Sequence, residues 1–175
     1  SPTQKSSLID EIETAGNRLN RQVENLLNMS RLESGMLTIK KDWCDVRELV
    51  YTTLQRFEPD VSNYKVSVFI PDNLPLFKLD YGLMEQVLHN LISNALQHNA
   101  EGTDIVINVD CVDEKLLITI SDSGKGFPEK EIHKVFDKFY RVQGSRSGGT
   151  GLGLSIVRGF VEAHQGTVNL SNLPL

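Results

Sequence analysis

Two asparagines, one aspartate and a run of glycines carry the residue types that could do chemistry in this chain. Asn90 and Asn94 stand four residues apart, so on a helix they share one face. Asn94 lies among apolar neighbours, where an amide must find a partner. Lending its carbonyl oxygen to Mg2+ is one solution; bonding a nearby backbone group is the plainer one. Asp122 closes an apolar stretch directly before Gly124 and Gly126. A carboxylate held there only accepts hydrogen bonds, which suits the exocyclic amine of adenine, although aspartate before glycine also makes ordinary tight turns. Further on, Gly149-Thr-Gly151-Leu152-Gly153-Leu154 opens a helical pattern, and the free N–H groups and positive dipole end of a helix start suit a polyphosphate. Seven of the thirteen glycines fall between Gly124 and Gly153, a density that suggests backbone lying close against a bound nucleotide.

Two commoner phosphate motifs fail. A P-loop needs G-x-x-x-x-G-K-[ST], and the nearest match, Gly144 to Gly149, is followed by Thr150 where lysine belongs. A Rossmann fingerprint needs a third glycine where Leu154 stands, and a strand where polar loop precedes Gly149.

The elements that must position these residues follow from periodicity. Leu8, Ile12, Ala15, Leu19, Val23, Leu26, Leu27 and Leu32 fall on one face of an amphipathic helix over 7–32, ended by Ser34-Gly35. Nothing nearby forms an antiparallel partner for it. The near-heptad spacing favours one helix of a bundle completed elsewhere over a helix packed on its own domain. A strand is expected over 36–40, then a helix capped by Asp45 and running through Phe57, stopped before Pro59. The spacing predicts strands over 65–70 and 76–79 and a long helix from Tyr81 to His98 capped by Asp80. A hairpin is expected from 104–109 and 116–121, turning near Asp113-Glu114. Pro128-Glu129 should start a short helix through Phe136. A helix over 152–164, ended by Gly166, and a last strand over Thr167-Val-Asn-Leu170 close the chain. Helices too few and too irregularly placed for a βαβαβ sheet point to an α+β domain, with helices layered on one face of a mixed sheet.

Composition narrows the classes. With 175 residues the chain has room for one full domain and an appended element. A hydrophobic share of 39% and a charged share of 23% are those of a globular protein. A net charge of -5 without a basic run argues against a nucleic-acid partner. Cys44 and Cys111 show no paired spacing and read as ordinary buried thiols in a reducing compartment. No run approaches the ~18 apolar residues of a membrane span.

The order of asparagine helix, D-x-G-x-G and G-x-G-L-G-L resembles the ATP-binding catalytic domain of sensor histidine kinases, within the superfamily that includes gyrase, Hsp90 and MutL. Asn90-Leu91-x-x-Asn94-Ala95 is similar to the family's N box and Asp122-Ser-Gly-Lys-Gly126 to its adenine turn. Phe136-x-x-Phe139-Tyr140-Arg141 is similar to its F box, Gly149 to Leu154 to its phosphate-side glycine turn, and His164-Gln-Gly166 to its closing turn. The run from Leu19 to Gly35 resembles the second helix of the dimerisation and phosphoacceptor hairpin. The wording is most like the potassium-sensing KdpD type. The resemblance implies a two-layer Bergerat-type sandwich over 36–175 and a hairpin helix over 1–35. It implies Mg-ATP as cofactor, a histidine acceptor on the dimerisation domain, a response regulator, a homodimer in the intact protein, and a cytoplasmic location as the soluble part of a membrane-bound bacterial sensor. Asp122 would bind the adenine amine, Asn94 would hold Mg2+, and Asn90 would stand near the γ-phosphate. Gly124, Gly126, Phe136, Gly149, Gly151, Leu152 and Gly153 would line the nucleotide, with His98 stacking on adenine or bonding solvent. Residues 127–150 would form a mobile lid, with Arg141 and Arg146 reaching phosphate oxygens.

Three departures stand out. Gln97 and His98 occupy places where the family commonly has lysine and an aromatic residue, and neutral glutamine cannot supply the lost charge; Lys125, Lys138 or Arg141 are candidates to compensate. The chain has no histidine before His89, so it is expected to lack the phosphoacceptor and not to autophosphorylate at the usual site. The family's final G-x-x-F strand is likewise expected to be absent, since Leu173-Pro174-Leu175 are the last residues of the sequence. Alternative readings are a regulatory nucleotide-binding module and an ATPase of the wider superfamily, the latter disfavoured by the short lid and F box.

Overall fold

The computed structural model describes residues 2–58, 60–142 and 150–173; Arg146 and Gly149 lie outside them. The chain divides into two compact units, Ser1–Leu37 and Thr38–Leu175. The first is helix α1 (Pro2–Glu33). It leaves Leu8, Ile12, Leu19, Val23, Leu26 and Leu27 exposed, an apolar stripe at helical spacing. Gly35, at φ 67°, ends the run where a left-handed residue is needed.

Among its described residues the second unit holds two small sheets and three α-helices. Strand β1 (Asp42–Cys44) pairs antiparallel with β3 (Phe77–Leu79). Strand β2 (Lys65–Phe69) runs parallel to β4 (Asp104–Val112), which pairs antiparallel with β5 (Lys115–Asp122), giving the order β2-β4-β5 in a mixed sheet. Alternation gives this sheet two unlike faces. Ile105, Ile107 and Val109 are buried, while Asp104, Asn108 and Asp110 on the opposite face are exposed. Helices α2 (Val46–Gln55), α3 (Tyr81–His98) and α4 (Gly153–Ala163) bury Leu49, Val50, Leu88, Ile92, Ile156, Val157 and Phe160. The result is the expected two-layer sandwich, helices on one face of a mixed sheet.

Local chemistry sets the helix ends. The Asp45 carboxylate accepts from the N–H groups of Arg47 and Glu48 at 2.9 and 3.3 Å, and Asp80 from Leu83 N–H at 3.2 Å. Past α2, Phe57 stacks on His89 of α3, ring centroids 4.6 Å apart. The imidazole of His164, beyond α4, accepts from Asp80 N–H at 3.0 Å through Nε2 and donates from Nδ1 to Phe160 O at 2.7 Å, tying α4 to the start of α3.

Four expectations are corrected. Residues 36–40 form no strand: the β1–β3 register ends at Asp42 opposite Leu79, where the partner chain turns into α3, and Lys40 N–H instead donates to the Asp80 carboxylate at 2.8 Å. Residues 128–136 form no α-helix but a chain of turns closed by i to i+3 hydrogen bonds around a short 3-10 piece, Ile132–Lys134. Residues 167–170 keep a strand-like alternation of half-buried Val168 and Leu170 with exposed Thr167 and Asn169, yet have no ladder partner among the described residues. Gln165, not Gly166, takes the left-handed conformation after α4, at φ 67°.

Candidate functional site

Helix α3 connects the two halves of the site. Near its middle Asn90 is 7% exposed and its amide donates to Gly153 O at 3.4 Å, drawing the start of α4 against it. Asn94, half-buried, follows one turn later on the same face. Among the described residues the start of α4 has no side-chain cap of its own; Thr150 Oγ1 only accepts from Leu152 N–H at 3.4 Å. Its first N–H groups therefore present partial positive charge. The approach is made by Gly151, at φ 71°. A side chain there would come within 2.7 Å of Phe139 backbone and 2.8 Å of Tyr140 O. Leu152 is fully buried, so its side chain belongs to the core and only its backbone can meet a ligand.

The other half sits at the end of β5. Asp122 pairs with Ile105 in register, which puts its side chain on the helix-covered face of the sheet. Its Oδ1 accepts from Gly124 N–H at 3.0 Å, bending the chain into a turn. Asn99, directly after α3, is buried and donates to Ala95 O at 2.8 Å. Its Oδ1 lies where a Gly124 side chain would be: a Cβ there would sit 1.7 Å from Asn99 Oδ1 and 2.7 Å from Asp122 Oδ1. Two acceptor oxygens thus flank the turn. From Asn90 to Asn99 the helix rises about 13 Å. The arrangement suits an elongated ligand, with hydrogen-bond donors at one end and negative charge at the other.

The remaining predicted residues divide. Gly126, at φ 65°, leads to Phe127, whose N–H donates to Asn172 Oδ1 and whose carbonyl accepts from Asn172 Nδ2, both at 2.8 Å. Phe136 is buried, with the Arg158 guanidinium 4.5 Å from its ring centroid, so it packs rather than opening toward a ligand. Arg141 and His98 are exposed, His98 as the last residue of α3. Gln97 Nε2 donates to Ser93 Oγ at 2.9 Å on its own helix. Phe139 is 64% exposed at φ 61°, a strained conformation for a bulky residue. The phenol of Tyr140 donates to Glu131 Oε2 at 2.6 Å, and that bond, with the nearby acidic charge, pushes its pKa up to about 12. Burial, then the charges of Asp45 and Glu48, push the Cys44 thiol up, as for a structural cysteine.

Asn99 and Asn172 escape sequence reasoning. Asn99 has a faint signal, an asparagine closing the apolar pattern of α3, but Asn172 has none in its neighbourhood. For a metal, no group of three or more histidine, cysteine or acidic side chains comes together among the described residues. The donors present, Asn94 above all, fit a hard cation that brings most of its oxygen ligands with it, as Mg2+ does on a polyphosphate.

The family described as histidine kinase-, DNA gyrase B-, and HSP90-like ATPase matches residues 80–174. The chain is 37% identical over 155 residues to the sensor protein KdpD of Escherichia coli (strain K12), covering 88% of this chain and 17% of that protein. It is 35% identical over 157 residues to the sensor histidine kinase WalK of Bacillus subtilis (strain 168), covering 86% and 26%. It therefore spans about a sixth to a quarter of the length of these relatives. Among solved structures, the Acinetobacter baumannii histidine kinase AdeS superposes with a TM-score of 0.76 at 26% identity, over 95% of this chain and 76% of that one.

Proposed function

Because the chain belongs to the histidine kinase-, DNA gyrase B- and HSP90-like ATPase family, we propose that it is the Mg-ATP-binding catalytic part of a two-component sensor histidine kinase. One observation carries the reading. Helix α3 brings the acceptor oxygens of Asp122 and Asn99 to one end of a site and the uncapped N-terminus of α4 to the other. Adenine amine at the first and polyphosphate at the second satisfy both.

In this reading Asp122 accepts from the adenine amine, and the N–H groups around Gly151 to Gly153 hold the phosphates. Asn94 offers its carbonyl to Mg2+, whose charge neutralises and aligns the phosphate oxygens. Asn90 stands near the γ-phosphate while fixing the start of α4, and Arg141 reaches phosphate from the segment beyond Tyr140. Positioning and charge neutralisation are most of what such an enzyme supplies. The γ-phosphorus to oxygen bond breaks, a phosphorus to nitrogen bond forms at a histidine of the dimerisation domain, and ADP leaves. The phosphoryl group then passes to a response regulator, and the intact protein is a homodimer through its helical hairpin. No helix among the described residues is long and apolar enough to cross a membrane. The site is read as cytoplasmic, where ATP is available.

The test is transfer. Incubated with γ-labelled ATP and a separate histidine-bearing hairpin, the chain should label the hairpin in an acid-labile, base-stable form. An unlabelled hairpin would remove the kinase reading. The neutral amide of Gln97, which donates to Ser93 Oγ on its own helix and carries no charge to offer a phosphate, supports a second reading, a nucleotide-binding regulatory module. Tight ATP binding without transfer in the same experiment would favour it.

A further inference from the structure

We infer that Asn172 is a positioning residue for the nucleotide site: its carboxamide clasps the backbone of Phe127 and so fixes the exit of the Asp122–Gly126 turn. The inference rests on the nucleotide reading of that turn. The Oδ1 of Asn172 accepts from Phe127 N–H at 2.8 Å, while Nδ2 donates to Phe127 O at 2.8 Å and to Glu129 Oε1 at 3.0 Å. A side chain that meets both the N–H and the C=O of one residue does what a neighbouring strand does for a paired residue. The two residues stand 45 positions apart. The approach is close enough to dictate its neighbour. A Cβ on Gly126 would sit 2.5 Å from Asn172 Oδ1, at a φ of 65° that already favours glycine.

The clasp completes the fixing of the turn. Its entry is held by the ladder partner of Asp122 and by Ser123 N–H, which donates to Asp104 O at 3.0 Å. Between entry and exit lie Gly124, Lys125 and Gly126, a stretch with little intrinsic stiffness. Without Asn172 the exit would be free, and binding a purine would have to order it, at a cost in affinity. Asn172 is half-buried and outside the helix-sheet core, so its loss acts on the turn and the segment toward Phe136 rather than on the fold as a whole.

The experiment is calorimetric titration of Mg-ATP into this chain and its variants. Asn172→Ala should raise the Kd about five- to tenfold, with accelerated hydrogen exchange at the Phe127 amide and little change in Tm. Asn172→Asp sets a carboxylate against Glu129 and the Phe127 carbonyl, and should bind at least as weakly. Adding Glu129→Gln to it restores a donor–acceptor pair and should recover about threefold in Kd. Glu129→Gln alone should bind within about twofold of the native chain. A merely structural asparagine would not give this charge-dependent rescue. A native chain that binds no ATP would overturn the reading beneath the inference. A native chain that binds, with Asn172→Ala and Asn172→Asp within about twofold of it, would overturn the clasp alone. Should Asn172→Ala fail to fold, the Asn172→Asp pair decides.

Discussion

The direction in which the Asp122 side chain points follows from sheet register. Pairing with Ile105 turns its carboxylate to the helix-covered face, and the glycine after it lets Asn99 Oδ1 approach the same turn. Asp122→Asn keeps the size but replaces one acceptor oxygen with a donor. It should weaken ATP binding roughly 10- to 100-fold by calorimetry, the value of a hydrogen bond to a charged group, with the far-ultraviolet circular dichroism unchanged. Tyr140 offers a second test. Its phenol is raised from 10.0 to about 12 chiefly by the bond to Glu131. The folded chain therefore holds this proton more tightly than the unfolded one. The contribution to stability is complete below the ordinary value and is lost as pH climbs through the raised one. Ultraviolet titration of phenolate should show one tyrosine ionising near 12, and Glu131→Gln should return it toward 10.0. Asn90, Asn94 and Asp122 stand out as candidates in the sequence because type and spacing together carry a chemical meaning. Asn99 and Asn172 do not, since the one lies against Gly124 and the other bonds Phe127, contacts between segments distant in sequence that spacing does not encode.

Elements were legible where hydrophobic periodicity decides them. The bounds of α3, Tyr81–His98, agree with its pattern because Asp80 caps it and the buried positions repeat at helical spacing. The hairpin of β4 and β5 turns at Asp113 and Glu114, both with positive φ, as a tight two-residue turn requires. Two segments were not legible: 36–40, where Lys40 N–H bonds the remote Asp80 carboxylate instead of a ladder, and 128–136, where a short apolar pattern is met by successive local turns rather than a helix. The left-handed residue after α4 is glutamine, although glycine follows it directly. Gln165→Gly should raise unfolding stability by about 0.5–1 kcal/mol in urea denaturation, because the left-handed conformation no longer strains a side chain. A decrease would mean that the Gln165 side chain makes an offsetting contact.

At the scale of the whole molecule, the candidate site and the apolar stripe of α1 belong to different units. Every described residue of the candidate site lies in the unit Thr38–Leu175. A chain beginning at Thr38 should therefore bind Mg-ATP with a Kd within about twofold of the full chain. It should also lose any concentration-dependent self-association seen by sedimentation, which the exposed Leu19, Val23 and Leu26 of α1 favour. The fold class was legible from element order alone. The pairing of β1 with β3 as a separate sheet was not, because three-residue strands leave almost no pattern. The central claim is that one elongated site joins the Asp122 turn to the start of α4, and amide chemical shifts of the labelled chain during a Mg-ATP titration test it most directly. Shifts concentrated at Asp122–Phe127, at Asn90–Asn99 and at Gly151–Ser155 are the predicted result. Saturable binding whose shifts leave either the Asp122 turn or the start of α4 unmoved would contradict it.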